Sequence, residues 1–233
     1  MKVRHIALIP AAGAGSRMGG SLPKQYQLLA GQPVLWHTLA VLAAEPRLDI
    51  LAVVVHPDDV WFDQFWWPGG DRLLVLRAGG ASRAESVRNG LFALAAEDRD
   101  WILVHDAARC CLPRDALARL LDTLAGDPIG GLLALPVADT VKKEGEGGRI
   151  ASTVPRDGLW LAQTPQMFRA ALLTEALSDA CDVSITDEAS AIEQLGLAPR
   201  LVQGDAFNFK VTWPHDLALA ERVLLCHPQG ETV

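Results

Sequence analysis

Short apolar runs alternate with helical periodicity through the first half of the chain. Ile6-Ala7-Leu8-Ile9 has the length and bounded composition of a buried parallel strand, and Val34-Leu35-Trp36-His37-Thr38-Leu39-Ala40-Val41-Leu42 carries a helical pattern that ends near Glu45-Pro46. Apolar runs at residues 50–55, 73–76 and 101–105 predict three further strands, with a helix over 84–96 between the last two. Such alternation builds right-handed crossovers. The expected class is therefore α/β, a Rossmann-like, mostly parallel open sheet with helices on both faces.

The pattern changes at Pro136. Residues 137–143 and 149–154 flank the polar tip Glu144-Gly145-Glu146-Gly147-Gly148, which predicts a protruding β-hairpin too polar for the core. An isolated two-stranded arm is marginal in water, so residues 137–157 are expected to form an inserted arm that rests on a second copy of the chain, in an otherwise single domain over 1–233. Farther on, Thr186 or Asp187 can cap a helix over 188–194, and a strand-like stretch over 207–211 precedes Pro214 and a closing helix. Trp61, Phe62, Phe65, Trp66 and Trp67 predict an amphipathic helix that packs its rings on the core.

Composition narrows the class. With 50% hydrophobic residues in a chain of 233, a sizeable core is available, and a net charge of −7 argues against a general nucleic-acid binder while leaving room for local cations that recruit small anions. No apolar run approaches the ~20 residues of a membrane span, and no charged-then-apolar leader precedes the first strand, so a cytoplasmic enzyme is expected. Cys110, Cys111, Cys181 and Cys226 show no paired spacing and read as reduced thiols.

The candidate chemistry gathers at strand ends. The first strand runs into Ala11, Ala12, Gly13 and Gly15, small residues that let backbone N–H groups approach a polyphosphate, followed by the cations Arg17 and Lys24. A tight strand-to-helix turn is the plainer reading of the loop alone. Named phosphate motifs do not fit: Met18 stands where a dinucleotide fingerprint needs its third glycine, and Gly19-Gly20 leads to Ser21-Leu22 rather than to Lys and Ser/Thr. In Gly79-Gly80-Ala81-Ser82-Arg83-Ala84-Glu85-Ser86, Ser82 or Arg83 opens a helix whose N-terminus suits an anion or the edge of a base, with Glu85 placed to complete a capping box. Asp106 falls just past a strand, where open parallel sheets bind ligands. It can hold Mg²⁺ or substrate hydroxyls, with Arg109 as a phosphate donor, or the two can form a structural salt bridge. Lys210 can extend into the same crevice.

The motifs PAAGAGSRM, PKQ, GGASRAESV, VHDAAR, ADTVKK, Val154-Pro155-Arg156, QTPQ, TDEAS and NFKVT span nearly the whole chain. In this order they resemble the nucleotidyltransferases that activate sugar and polyol phosphates. The resemblance implies a cytidylyl transfer from CTP to a polyol phosphate with release of pyrophosphate. Methylerythritol phosphate of the non-mevalonate isoprenoid route is the expected acceptor, with ribitol 5-phosphate as the alternative and a catalytically silent nucleotide-binding regulator as a third reading. It also implies roles: Arg17 and Lys24 stabilise the attacked phosphate, and Arg156 and Lys210 hold the attacking one. Ala11, Ala12, Gly13, Gly15, Gly80, Ser86 and Ala107 contact the nucleotide, while Asp106, Arg109, Thr140 and Thr186 position the polyol. Mg²⁺ or another divalent cation is the implied cofactor, with Asp106 as its candidate ligand unless the CTP phosphates carry it. The arm implies a homodimer in which Thr140 and Arg156 complete the partner's site.

Overall fold

The computed structural model describes residues 2–13, 22–178 and 185–226. Its first strand, β1 (His5–Pro10), is buried from Ile6 to Ile9 and pairs in parallel with β4 (Ile50–Val54) on one side and β6 (Trp101–Val104) on the other. A small ribbon of β2 (Leu28–Leu29) and β3 (Gln32–Pro33) leads into helix α1 (Val34–Ala43), and β5 (Leu73–Leu76) extends the sheet beyond β4. Helix α2 (Arg83–Leu94) then returns the chain to β6. These runs follow the apolar pattern of the sequence, since strands covered on both faces read as unbroken hydrophobic stretches.

Helix α3 (Arg114–Leu124) and β7 (Gly130–Pro136) lead to the hairpin arm of β8 (Val141–Glu144) and β9 (Ile150–Val154), after which β10 (Trp160–Arg169) re-enters the sheet antiparallel to both β6 and β7. Helices α4 (Ala170–Ser178) and α5 (Glu188–Gln194), strand β11 (Arg200–Gln203) and helix α6 (Pro214–Cys226) complete the described elements. The seven-stranded order is β11-β7-β10-β6-β1-β4-β5, mostly parallel, with β10 as the reversed strand among the described residues. Ala7, Ile9, Leu51 and Val53 pack under α1 and α3, whereas Ile6, Leu8, Ala52 and Val54 pack under α2, α4 and α5, as the two-residue period of a strand requires.

Three elements differ from the sequence reading. The aromatic stretch makes a single tight turn at Phe62–Gln64 instead of an amphipathic helix, because the Asp59 carboxylate takes the N–H groups of Trp61 and Phe62, both at 2.9 Å. Phe62 and Trp67 still reach the core while Trp66 stays exposed. Residues 207–211 form no strand: Phe207 lies in a turn closed by the Asn208 N–H on the Asp205 carbonyl, the residues after it pair in no sheet, and the edge strand is β11 instead. Ser82 caps α2 by accepting the Glu85 N–H at 3.1 Å, but the Glu85 carboxylate takes the N–H of Ala81, so only half of the capping box forms. Of the cysteines, Cys110, Cys111 and Cys226 are free thiols, and Cys181 lies outside the described residues.

The sheet sets the location of the site. The chain winds one way from β1 through β4 to β5 and crosses back to β6, so the connections diverge at the carboxyl ends of β1 and β6. A crevice opens at such a switch point in open α/β sheets, and ligands bind there.

Candidate active site

At that switch point lies a cavity of about 230 Å³ bounded by three loops. Ala11, Ala12 and Gly13 follow β1, Gly80 to Arg83 with Ser86 form the entry to α2, and Asp106 to Ala108 follow β6; Lys24 and Lys210 enter from the sides. The β1 loop is held in shape by Gln25, whose side-chain amide donates to the carbonyls of Ala11 at 2.7 Å and Gly13 at 3.1 Å. That bond folds the Pro23-Lys24-Gln25 turn back on the loop and directs Lys24 across the crevice, where its ammonium donates to the Val211 carbonyl at 2.7 Å. Arg17 and Gly15 lie outside the described residues.

The α2 entry is built by hydroxyl bonding. Ser86, nearly fully buried, accepts the Gly80 N–H at 3.0 Å and donates to the Ser82 carbonyl at 2.8 Å, so Gly80 to Ser82 form a fixed rim. Gly79 is required below it: a Cβ there would collide with the Cβ of Ala12 and stand 2.9 Å from the Val55 carbonyl oxygen. Thr38 on α1 supports the third loop by donating to the Ala107 carbonyl at 2.9 Å.

Asp106 is the electrostatic centre. Its carboxylate takes Nε of Arg83 at 2.8 Å and Nζ of Lys210 at 2.9 Å, with Nε of Arg109 at 3.5 Å. Burial alone would raise its pKa, but Arg83, Lys210 and Arg109 outweigh the desolvation and hold it well below the usual carboxylate range. Its N–H is tied to the Thr164 hydroxyl at 3.0 Å, and that oxygen lies 2.9 Å from Nδ1 of the fully buried His105. The other ring nitrogen, Nε2, faces the Arg109 carbonyl, which can only accept, so in the neutral ring Nε2 carries the proton and Nδ1 accepts from the Thr164 hydroxyl. His105 is then the neutral tautomer that donates from Nε2 to the Arg109 carbonyl at 3.2 Å. Burial lowers the His105 pKa to about 4, in keeping with that assignment.

The remaining sequence candidates lie elsewhere. Arg109 stands behind Asp106 and away from the cavity lining, largely buried, donating to the Asn208 carbonyl at 2.6 Å; burial lowers its pKa despite the attraction of Asp106. Thr140 and Arg156 are exposed at the base of the arm, where Arg156 donates to the Ala138 carbonyl, and neither lines the cavity. Thr186 is exposed just before α5, whose cap is Asp187 with a full capping box to Ser190, and it lines a separate recess with Trp160 and Leu132.

Asp106 does not fit the role of metal ligand. Both of its oxygens are engaged by cations, which would repel a divalent ion, and no group of three or more His, Cys, Asp or Glu side chains suited to a metal occurs among the described residues. A divalent ion at this site would have to be carried by phosphate oxygens.

Arg83, Glu188, Thr164 and Gln166 escape a reading by strand ends. Arg83 and Glu188 both open helices, where charged residues ordinarily face solvent, yet Glu188 is 2% exposed and grips both Nη atoms of Arg83 at 2.6 and 3.1 Å. Thr164 and Gln166 lie where β10 loses register with β7 between Ala162 and Gln166, an irregularity that gives Thr164 to the His105-Asp106 loop and Gln166 to the start of α5, behind the cavity rather than in its lining.

A mostly parallel sheet whose first loop is built of small residues, with two lysines and Asp106 converging on one cavity at the strand ends, is the architecture of a site that binds phosphorylated ligands, and it fits the nucleotidyltransferase class. The 2-C-methyl-D-erythritol 4-phosphate cytidylyltransferase family matches residues 5–225, and the chain belongs to it. It is 68% identical over 221 residues to the enzyme of that name from Laribacter hongkongensis, covering 95% of this chain and 96% of the relative. Identity to the Chromobacterium violaceum enzyme is 62% over 219 residues, covering 94% and 97%. A crystal structure of 4-diphosphocytidyl-2C-methyl-D-erythritol synthase superposes with a TM-score of 0.84 at 46% identity, covering 96% of this chain and 99% of the other.

Proposed function

We propose that the switch-point cavity performs this family's transfer of a cytidylyl group as follows. CTP lies with its base against Gly80 and Ser86 and its phosphates along Ala11, Ala12, Gly13 and Ala107, with Gly15 and Arg17 completing the phosphate loop. The phosphate of 2-C-methyl-D-erythritol 4-phosphate attacks the α-phosphate in line, giving 4-diphosphocytidyl-2-C-methyl-D-erythritol and pyrophosphate in the non-mevalonate route. Two highly anionic molecules must meet, so fixed positive charge lowers the barrier more than any nucleophilic side chain could.

Lys24 and Arg17 stabilise the α-phosphate as negative charge grows on it. Lys210 holds the attacking phosphate while Asp106 orients the Lys210 ammonium and accepts a hydrogen bond from a polyol hydroxyl; Thr186, in its separate recess, takes no part. Arg109 acts from behind by fixing Asp106. Thr140 and Arg156 reach the polyol phosphate of a partner's site, which makes the working unit a homodimer joined through the arm. Mg²⁺ enters on the CTP phosphates. A cytoplasmic location accords with the absence, among the described residues, of any helix long and apolar enough to cross a membrane.

The observation that carries this reading is the convergence of Lys24, Lys210 and Asp106, from three distant parts of the chain, on one cavity. The test is pyrophosphate release with CTP and Mg²⁺, supplied in parallel with methylerythritol phosphate and ribitol 5-phosphate. Preference for methylerythritol phosphate is expected. Preference for ribitol phosphate would reassign the acceptor, and CTP binding without turnover would make the chain a nucleotide-binding regulator.

A further inference from the structure

Glu188 has no place in the reaction as proposed, yet it is the most deeply buried acid beside the cavity. It opens α5, and the start of that helix is fixed twice over. Asp187 and Ser190 form a capping box, while Gln166 on β10 accepts the Ala189 N–H at 2.7 Å and donates to Asp187 at 2.8 Å. Glu188 therefore presents its carboxylate from a rigid mount. Both of its oxygens are used by Arg83, whose third donor, Nε, goes to Oδ1 of Asp106 and leaves Oδ2 to Lys210.

The pattern divides one guanidinium between two carboxylates. An arginine prefers to present two parallel N–H groups to a single carboxylate. Without Glu188, Arg83 can turn its Nε and Nη2 edge onto both oxygens of Asp106 and displace Lys210. The charge count points the same way: three cations, Arg83, Arg109 and Lys210, already face two carboxylates, Asp106 and Glu188, and loss of one acid leaves all three competing for a single anion.

We propose that Glu188 is a positioning residue: it holds the end of the Arg83 guanidinium so that one oxygen of Asp106 remains free to orient Lys210 toward the acceptor phosphate. This rests on the reaction assigned above. Glu188 touches no substrate and acts through Arg83 alone.

The test compares wild type with Glu188→Gln, Arg83→Gln and the double variant, measuring kcat and KM for each substrate and CTP affinity by calorimetry. Glu188→Gln keeps the volume but loses the charge and places N–H donors against Arg83. Its kcat is expected to fall about 10- to 100-fold and its KM for methylerythritol phosphate to rise, with CTP affinity within about twofold of wild type. The double variant should be no worse than Arg83→Gln, because the two side chains act in series. Glu188→Asp, which restores charge on a shorter stem, should recover part of the lost kcat. Additive losses, unchanged acceptor KM and kcat, or a melting-temperature drop with kcat intact would overturn the proposal. If Glu188→Gln does not fold, Arg83→Lys, which keeps the charge but lacks the planar fork that grips both Glu188 oxygens while Nε meets Asp106, is expected to give the same split between acceptor and CTP parameters, and wild-type parameters there would overturn it. A wild type inactive on both acceptors sinks the assigned reaction and this role together, whereas an active wild type with indifferent variants sinks this role alone.

Discussion

Lys210 and Asp106 meet at 2.9 Å although one follows β6 and the other lies near the start of α6, and the two ends of this ion pair have unlike surroundings. The Lys210 side chain is 38% exposed, whereas Asp106 is nearly buried and also faces Arg83 and Arg109. Removing them should therefore fail in different ways. Lys210→Ala is expected to lower kcat about a hundredfold, roughly 3 kcal/mol, with little change in stability. Asp106→Asn leaves the buried Arg109 without its counter-ion and should cost about 3–5 kcal/mol of folding free energy besides activity. Pyrophosphate release and urea unfolding of the two variants separate these effects.

Lys24 crosses the crevice to the Val211 carbonyl, which joins the first loop to the segment carrying Lys210. If it stabilises charge on the attacked phosphate, Lys24→Ala should reduce kcat about a hundredfold while KM for the acceptor stays within about threefold. An alanine variant with near-normal turnover would remove Lys24 from the chemistry. Single-turnover kinetics make the comparison free of product release.

Gly79 has no room for a side chain, since the Ala12 Cβ and the Val55 carbonyl occupy the space. Both neighbours are held, Val55 by its sheet-end bonds and Ala12 within the loop pinned by Gln25. Gly79→Ala should push the β1 loop outward and weaken CTP binding about tenfold, with a stability loss of about 1–3 kcal/mol from overpacking. Calorimetric titration with CTP tests the first and thermal unfolding the second.

The apolar runs of β1, β4, β5 and β6 announce themselves because both faces are covered, and that is also why the sequence alone places Asp106 and the glycine loop at strand ends. Strand β10 is obscure for a physical reason: its middle carries Gln163, Thr164 and Gln166, polar groups satisfied only by a bulge and by contacts with Asn208, Asp187 and the His105 loop. The 207–211 stretch misleads because its apolar residues begin in a turn and are bonded through the Asn208 side chain and the Val211 N–H rather than a ladder. Arg109 reads as a phosphate donor, but its burial behind Asp106, with Nη1 on the Asn208 carbonyl, takes it out of the cavity lining. Sequence spacing shows which charges approach the crevice, but not which are spent on one another.

His105 makes stability depend on pH in a definite direction. Its pKa is about 6.5 in an unfolded chain and about 4 when buried between Thr164 and Arg109, so between these values the unfolded state binds a proton that the folded state refuses. Its contribution is complete above pH ~6.5 and is lost as pH falls toward 4, a change of about 3 kcal/mol. Burial also lowers the pKa of His5 and His37, which adds slope of the same sign. The measurement is therefore a difference: His105→Gln, whose amide can accept and donate in place of the ring, should be less stable than wild type at pH 7.5 and closer to it at pH 4.5. A stability gap that stays constant at all pH values would show that His105 binds its proton equally well in the folded and the unfolded chain, and a gap that widens toward low pH would show that the folded protein favours the protonated ring.

The arm poses a question of assembly. Val141 pairs with Val154 and Lys142 with Thr153, but Ile150, Leu161 and Trp160 stay exposed around it, apolar surface that a second copy would cover. If Thr140 and Arg156 serve the partner's cavity, Arg156→Ala and Lys210→Ala damage different halves of one composite site. A heterodimer then places both defects in one site and leaves the other intact. Random mixing of the two inactive chains should restore about a quarter of wild-type activity, half the dimers being mixed with one good site each. Two chains that act alone would show no recovery at any mixing ratio. Measuring turnover after co-refolding, with dimer content followed by sedimentation, distinguishes the outcomes: recovery that scales with the mixed dimer establishes sharing of the site, and stable dimers without recovery assign Arg156 to its own chain.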